Sequence, residues 1–296
     1  MKSTIENYRN SLLFSTLTVT SFPLSTLTIK NPAAMKTKTS PIIISNVMIS
    51  EMNKMLTFRE ITEPAELEKA FRLRYEEYSN ARNRVLLNQN IHRMDINIYD
   101  LHSKHFGVFS FSKELIGYIR VVFNKSEFYN QQVFEIGKKY EIFSDSSDLM
   151  EHIKNLSDQD YPFLSYPNLP ESVKSCYYSL TKKNESVAEA GRLIIKEKYR
   201  GLRTSTFLIE CAMMLFVLIC KGQKHAVLCC DTHHLRFYKN YGFEPFGDEA
   251  GFDVYGTNKV VMIFPLSLSK LSKQQQLKFE QMAIEFSQTN KISRAI

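Results

Sequence analysis

The residues best suited to chemistry lie between Val187 and Ser205, where an apolar run gives way to a basic turn and then to a long apolar segment. A helix that begins directly after such a turn presents free backbone N–H groups and the positive end of its dipole, which suit a pyrophosphate or a phosphate ester. The turn holds these cations: Lys196, Lys198, Arg200 and Arg203. Because a basic turn can equally be a solvated surface feature, the turn alone leaves phosphate binding and solvation open.

Histidines and cysteines near residue 230 also invite a catalytic interpretation. Asp231, His233 and His234 could ligate a metal ion, but adjacent histidines at the start of a helix are expected to point to different faces. Cys229 and Cys230 lie in an apolar strand with no partnered base nearby in the sequence, so neither is expected to be a nucleophile. We therefore predict no metal site and no covalent enzyme intermediate.

The elements that must position these residues alternate in the second half of the chain. Val187–Ile195 and Ala226–Cys230 are predicted strands, and a helix from Thr204 to about Lys221 separates them. A strand, a helix and a strand in succession indicate a parallel pair with a right-handed crossover. In the first half, His105–Phe111 and Leu115–Phe123 form a predicted hairpin, which makes the sheet mixed.

The other predicted elements are a strand at Leu56–Ile61, a helix from Thr62 to about Tyr78, a helix over about 232–241, strands around 243–246 and 259–265, and an amphipathic helix over about 269–286. Three prolines interrupt residues 124–184, so loops and short helices that could cover a pocket are expected there. The pattern predicts an α/β fold with a mixed twisted sheet flanked by helices.

Composition divides the chain into three parts. The 296 residues are 44% hydrophobic and 23% charged, which are values typical of globular proteins. Residues 1–54 are rich in Ser and Thr and lack periodicity, so they are predicted to be a disordered tail, or sequence upstream of a true start at Met55. We expect the folded domain at 55–270 and a C-terminal amphipathic helix with a tail at 271–296.

The formal charge of +7 includes a basic excess in residues 1–54, which hold six Lys or Arg and two acidic residues. This balance is compatible with an acidic partner and too small to demand nucleic acid, which we do not expect as a partner. No apolar run reaches the roughly 18 residues of a membrane span, and Phe207–Cys220, interrupted by Glu210, is predicted to be a core helix. The spacing of the five cysteines predicts reduced thiols and a cytoplasmic location, with a secretory signal near the N-terminus as the alternative.

Two motifs together resemble the GCN5-related N-acyltransferase superfamily. Tyr199-Arg200-Gly201 precedes a long apolar helix, and Phe237-Tyr238-x-x-x-Gly242-Phe243 follows the next strand. The resemblance implies that two parallel strands splay apart and hold an acyl-thioester cosubstrate in the cleft, with no permanently bound cofactor. The residues implied to bind that donor are Leu193, Ile195, Lys198, Arg200, Gly201, Arg203, Thr204 and Ser205.

Further motifs are similar to those of the acyl-homoserine-lactone synthases and the N-acyl amino acid synthases, which use acyl chains carried on acyl carrier protein. Glu189-Ala-Gly-Arg192 resembles their Glu-x-x-Arg signature, and Gly117-Tyr-Ile-Arg120 resembles their Gly-x-x-Arg strand. Arg203 and Ser205 depart from the small residues usual in coenzyme A loops, and the absence of Trp favours the amino acid branch. The residues implied to shape the acceptor site are Arg74, Asp95, Asp100, Arg120 and Arg192.

The resemblance implies aminolysis of a thioester. Glu189 would take a proton from a primary amine, for example that of an amino acid, and Tyr238 would hydrogen-bond the leaving sulfur. Backbone N–H groups near Leu193 and Ile195 would polarise the carbonyl, and the basic turn would hold an acidic acyl carrier protein. Two alternatives stay open: an acetyl-coenzyme A-dependent N-acetyltransferase, and a non-catalytic domain that binds or regulates.

Overall fold

The computed structural model describes residues 55–79, 90–142, 161–266 and 268–295. The strands in this part of the chain are β1 (Met55–Glu60), β2 (Ser103–Ser110), β3 (Leu115–Val122), β4 (Ser186–Ile195), β5 (Lys224–Asp231), β6 (Glu244–Pro245), β7 (Phe252–Val254), β8 (Thr257–Phe264) and β9 (Lys291–Ala295). The α-helices are α1 (Pro64–Ser79), α2 (Gln131–Lys139), α3 (Glu171–Lys182), α4 (Leu202–Lys221), α5 (Leu235–Lys239) and α6 (Lys273–Thr289). The predicted tail at 1–54 lies outside the described residues.

One mixed sheet joins the strands in the order β6-β8-β5-β4-β3-β2-β1-β9, and β7 pairs with β8. The pair β4 and β5 is parallel and the other pairs are antiparallel. The predicted α/β class, the mixed sheet and the hairpin formed by β2 and β3 are therefore confirmed. The short strand β7 is absent from the sequence-based prediction because three residues give too little alternation to detect.

The parallel pair splays apart, as predicted. Pairing runs from Ser186 and Lys224 to Glu189 and Val227, but β4 continues to Ile195 without β5 beside it. On its other edge β4 carries a bulge, because Tyr118 pairs with Ile194 while Arg120 pairs with Gly191. Such an extra residue twists a strand and redirects side chains, and at Arg192 the backbone takes a left-handed φ of 58°. The divergence opens a gap between the two strands.

Helices cover both faces of the sheet. The apolar helix α4 contributes most of its residues to the largest core cluster, together with α6. The opposite face packs against α1 and α2. By length and composition Arg203–Lys221 in α4 would suffice to cross a membrane, with a mean hydropathy of 1.7, but 67% of it is buried inside this fold. Helix α4 is thus placed as the predicted core helix, and its hydrophobicity is explained by packing.

The C-terminal segment belongs to the same sheet: a helix and a tail are predicted at 271–296, and the structure has a helix followed by a strand. Helix α6 buries Phe279, Met282 and Phe286, and the strand after it, β9, pairs antiparallel with β1. Asn290 turns the chain between them with a left-handed φ of 57°. This strand is hard to predict from the sequence because Lys291–Ala295 lies at the edge of the sheet. Polar residues are tolerated there, so the strand lacks a clear apolar pattern.

Candidate active site

The gap between β4 and β5 contains a cavity of about 500 Å³. Strand β4 lines it from Glu189 to Leu193, β5 from Leu228 to Asp231, and α4 closes the back with Ile209, Ala212, Met213 and Phe216. The short turn Pro162–Ser165 and the following Tyr166 form another wall. The cavity therefore has an apolar floor and, along β4, an ionisable wall.

Glu189 is the acid of that wall. Its side chain is 3% exposed, and its Oε2 accepts a hydrogen bond from the backbone N–H of Phe163 at 2.9 Å. Burial raises the pKa of Glu189 to about 7, although the Phe163 N–H and the charges of Arg120 and Arg192 act in the opposite direction. A carboxyl group with this pKa can accept and release a proton near neutral pH, as a general base must.

Two guanidinium groups stand beside Glu189 in the wall. Arg120 donates from Nη1 to Asp100 at 2.8 Å and to Asn97 at 3.0 Å, while its buried Nε has no hydrogen-bond partner among the described residues. Arg192 lies over the ring of Tyr78, with 4.8 Å between Cζ and the ring centroid. Arg192 lies at the bulge in β4, where its backbone has the left-handed φ. Both arginines, which were predicted to bind the acceptor, line the cavity.

Arg74, Asp95 and Asp100 form a buried ion-pair network behind the wall. Arg74 donates to Asp100 at 2.7 Å from Nη1 and to Asp95 at 2.9 Å from Nη2. Asp95 also lies 3.7 Å from Nε of Arg192, so the network reaches both cavity-lining arginines. The three residues do not line the cavity. These three residues, predicted to shape the acceptor site, thus lie behind the wall and contact the arginines that line it.

The network carries more positive than negative charge when Glu189 is protonated. Three guanidinium groups, of Arg74, Arg120 and Arg192, face two carboxylates, of Asp95 and Asp100. Burial works against ionisation of Asp100, but Arg74 and Arg120 hold its pKa far below the usual range. Both aspartates are therefore ionised at neutral pH, and the wall is suited to an additional negative charge. That charge is either ionised Glu189 or an anionic group of a bound molecule.

Tyr238, which was predicted to hydrogen-bond the leaving sulfur, lines the cavity from the short helix α5. Its ring packs edge-on against Phe237 and Phe243, with centroids 5.4 and 5.5 Å away. Burial raises the pKa of the Tyr238 hydroxyl, and the neighbouring Cys230 and Asp231 act in the same direction. The hydroxyl is therefore protonated at neutral pH and can donate a proton or a hydrogen bond.

Acidic side chains distant in the sequence neutralise part of the basic turn, which the cation count along the chain does not show. Lys196 and Lys198 contact Glu114 at 2.8 and 3.0 Å, and Arg200 pairs with Glu77. Neither acid could be associated with the turn from the sequence, since both lie about 80 or more residues earlier. Lys198 and Arg200 nevertheless keep 58% and 53% of their side chains exposed. The turn is thus a half-neutralised surface with accessible cations.

Most of the remaining residues predicted to bind the donor come after the cavity-lining part of β4 in the sequence and lie outside the cavity. Leu193 lines the cavity, whereas the part of the described chain from Ile195 to Ser205 does not. Gly201 precedes α4 with extended backbone, and a Cβ added there would meet nothing within 4 Å. Arg203 faces a second groove, of about 800 Å³, between α4 and α6. Thr204 is buried in the first turn of α4, and the backbone N–H of Ser205 bonds to Gly201 O at 2.9 Å.

The five cysteines are free thiols. Cys229 and Cys230 belong to different core clusters on the two faces of β5, and burial raises the pKa of both thiols. Asp231, His233 and His234, however, bring their ligand atoms within 4.8 Å of one another. The expectation that the two histidines point apart is wrong, because Thr232–His234 forms a 3₁₀ turn in which the imidazole centroids are 3.9 Å apart.

Several cavity residues were missed from the sequence. Asn97 lies in an irregular segment, and Lys259 reaches the site from β8 to pair with Asp231 at 2.5 Å. Phe163 contributes its backbone N–H, and residue type does not reveal such a contact. Tyr166, by contrast, belongs to the segment 124–184, which was expected to cover a pocket.

No family model matches the sequence, and a comparison with curated proteins finds no significant match. Solved structures with a similar fold include FeeM, an N-acyl amino acid synthase from uncultured soil microbes, at 12% identity and a TM-score of 0.46, covering 75% of this chain and 97% of that one. The CoA-dependent acyl-homoserine lactone synthase BjaI is similar at 12% identity and a TM-score of 0.46, covering 77% and 89%. An acyl-CoA N-acyltransferase from Pseudomonas aeruginosa is similar at 12% identity and a TM-score of 0.38, covering 71% and 98%.

Proposed function

We propose that this protein is an N-acyltransferase that moves an acyl group from a thioester to a primary amine. The observation that carries the proposal is the position of Glu189, a buried carboxyl group with a pKa of about 7, in the cavity between splayed strands. Tyr238 lines the same cavity with a protonated hydroxyl. An acid–base residue and a proton donor at one cavity are what aminolysis of a thioester requires.

The proposed reaction is direct attack by the amine. Ionised Glu189 takes one proton as the amine nitrogen forms a bond to the thioester carbonyl carbon. Beyond Glu189 the β5-facing backbone of β4 has no strand opposite it, so its N–H groups can stabilise the developing oxyanion. The C–S bond then breaks and Tyr238 donates its proton to the thiolate. The proton held by Glu189 then passes through solvent to the tyrosinate, so the products are an amide and a free thiol and both side chains return to their starting states.

The acceptor we propose is an amino acid. Arg120 supports this choice, because it lines the cavity and, within the described part of the chain, its buried Nε has no hydrogen-bond partner. A carboxylate can bind a guanidinium through two oxygens. A bound carboxylate there would place the amine of the same molecule in the cavity that contains Glu189.

The donor we propose is an acyl chain on acyl carrier protein. Lys198 and Arg200 support this choice, since they are exposed beside the open space in front of Gly201. An acidic carrier would compete with Glu114 and Glu77 for these cations. Acetyl-coenzyme A remains the alternative donor.

Product analysis tests the proposal. The full chain is incubated with pooled amino acids and a mixture of long-chain acyl carrier protein thioesters and acetyl-coenzyme A, and products are identified by mass spectrometry. N-acyl amino acids that disappear with Glu189→Gln are expected. N-acetyl products alone would replace the proposed donor with acetyl-coenzyme A, and no product from any donor would support a non-catalytic binding domain.

A further inference from the structure

A second cluster of chemically capable side chains lies at the end of β5. Asp231, His233 and His234 each offer one ligand atom, and these atoms lie within 4.8 Å of one another. From this arrangement we infer a site for a divalent transition-metal ion of the Zn²⁺ class. The inference is independent of the proposed acyl transfer.

The ligand set suits this class of ion. Two imidazole nitrogens and one carboxylate oxygen are ligands that Zn²⁺, Co²⁺ and Ni²⁺ share, whereas Ca²⁺ and Mg²⁺ require mainly oxygen. Bonds of about 2.0 Å place two ligands of a tetrahedral ion roughly 3.3 Å apart. Both histidines are exposed, so rotation of their side chains can close the remaining distance without moving the backbone.

Lys259 sets the strength of the site. Its Nζ lies 2.5 Å from Oδ1 of Asp231, and its side chain is only 10% exposed. A metal ion must therefore share the carboxylate with an ammonium group that solvent screens poorly, which lowers the affinity for a second cation. Removal of this positive charge should strengthen metal binding, and a cluster that binds no metal would not show that response.

The site is also open to the cavity. Asp231 and His234 line the cavity wall, on the side that holds Tyr238. Three protein ligands leave at least one position of a tetrahedral ion for water or for an anionic group of a bound molecule. An ion held here would add positive charge at the rim of the cavity.

Metal titration tests the inference. Untagged full-length protein is titrated with Zn²⁺ by calorimetry and with Co²⁺ by visible absorption, which reports coordination directly. The H233A/H234A double variant is expected to bind Zn²⁺ at least tenfold more weakly, and Lys259→Met severalfold more tightly. The matched control is His225→Ala, which removes another histidine paired with a carboxylate, that of Glu185, and is expected to change nothing.

Two kinds of outcome would contradict the inference. Equal Zn²⁺ affinity in the wild type and H233A/H234A, or no binding and no Co²⁺ spectrum in the wild type, overturns the site. Unchanged or weaker binding by Lys259→Met overturns the shared carboxylate. Because His233 and His234 are exposed, the double variant should keep the circular dichroism spectrum and urea midpoint of the wild type.

Discussion

The backbone N–H of Phe163 donates to Oε2 of Glu189 over 2.9 Å. This bond connects β4 to the turn Pro162–Ser165 that walls the cavity, and it fixes one oxygen of the carboxyl group. Glu189 therefore keeps a defined orientation while burial keeps its pKa near 7. The fixed orientation and the raised pKa of Glu189 can each be tested by mutation and by varying the pH.

The first prediction concerns the pH dependence of acyl transfer. Because Glu189 must be ionised to accept a proton, kcat/KM should rise with pH through about 7 and then level off. Glu189→Gln should lower kcat/KM by about 10²- to 10⁴-fold and abolish this rise. Steady-state rates with a thiol-detecting reagent measure both effects.

The control for this profile is Glu185→Gln, which changes an acid outside the cavity. Its pH profile should match that of the wild type. A Glu189→Gln variant that retains a rise near pH 7 would assign the titration to another group, such as the acceptor amine.

The second prediction concerns stability. The pKa of Glu189 is raised from 4.5 to about 7 in the folded state, so the folded protein binds more protons than the unfolded chain between these values. Stability should therefore fall as the pH rises from 4.5 to 7, by an amount that corresponds to roughly 3 kcal/mol. Glu189→Gln lacks this dependence and can still accept the Phe163 hydrogen bond.

Urea unfolding at pH 4 and pH 8 measures this difference. The free energy of unfolding of Glu189→Gln relative to the wild type should be higher at pH 8 than at pH 4. An equal difference at both pH values would mean that Glu189 ionises as readily in the folded protein as in the unfolded chain.

The third prediction concerns the buried network. Arg74→Ala removes the partner of Asp95 and Asp100 and leaves two buried carboxylates, which should destabilise the protein by about 3–5 kcal/mol. Arg74→Lys keeps the charge but loses the paired geometry, so its urea midpoint should fall between those of Arg74→Ala and the wild type. Arg294→Ala, which breaks an exposed pair with Glu285, should cost less than about 1 kcal/mol.

Much of the sheet could be predicted from the sequence because apolar runs and turns mark its central strands. The divergence of β4 and β5 followed from the resemblance, and it brings Glu189, Arg192 and Tyr238 to one cavity. The distinction between Arg120, which reaches that cavity, and Arg74, which lies behind it, could not be predicted. Both are buried arginines within apolar segments, and only the three-dimensional packing separates them.

Contacts distant in sequence account for the other differences. Glu114 and Glu77 neutralise part of the basic turn, but a charge count along the chain cannot reveal partners in the turn before β3 and on α1. The histidines at 233 and 234 were expected to diverge as on a helix, and the 3₁₀ turn brings them together. The 3₁₀ turn at Thr232–His234 connects β5 to α5. Its conformation depends on the relative orientation of these two elements, which the residue pattern alone does not determine.

The fourth prediction concerns the donor. In the K198A/R200A variant KM for an acyl carrier protein donor should rise about tenfold, with little change in kcat and a weaker dependence on salt. The same acyl group on free pantetheine should be used as well as by the wild type. K182A/K183A, which removes two exposed cations at the end of α3, is the matched control and should be neutral. Equal loss with both donors would place Lys198 and Arg200 outside carrier recognition.

The fifth prediction concerns Tyr238. Because burial keeps its hydroxyl protonated, Tyr238 can supply the proton that the leaving thiolate needs. Tyr238→Phe should lower kcat by about 10²-fold with little change in KM, since the ring and its packing against Phe243 are retained. Tyr255→Phe, which alters another tyrosine of the cavity, serves as the control.

The leaving group separates protonation from other roles of Tyr238. A thioester whose thiol has a low pKa, such as a thiophenyl ester, needs little proton donation, so Tyr238→Phe should use it nearly as well as the wild type does. If the variant were equally impaired with both thioesters, Tyr238 would act by shaping the cavity, and protonation of the thiolate would fall to another donor. Rescue confined to the activated ester therefore assigns the Tyr238 hydroxyl to departure of the sulfur.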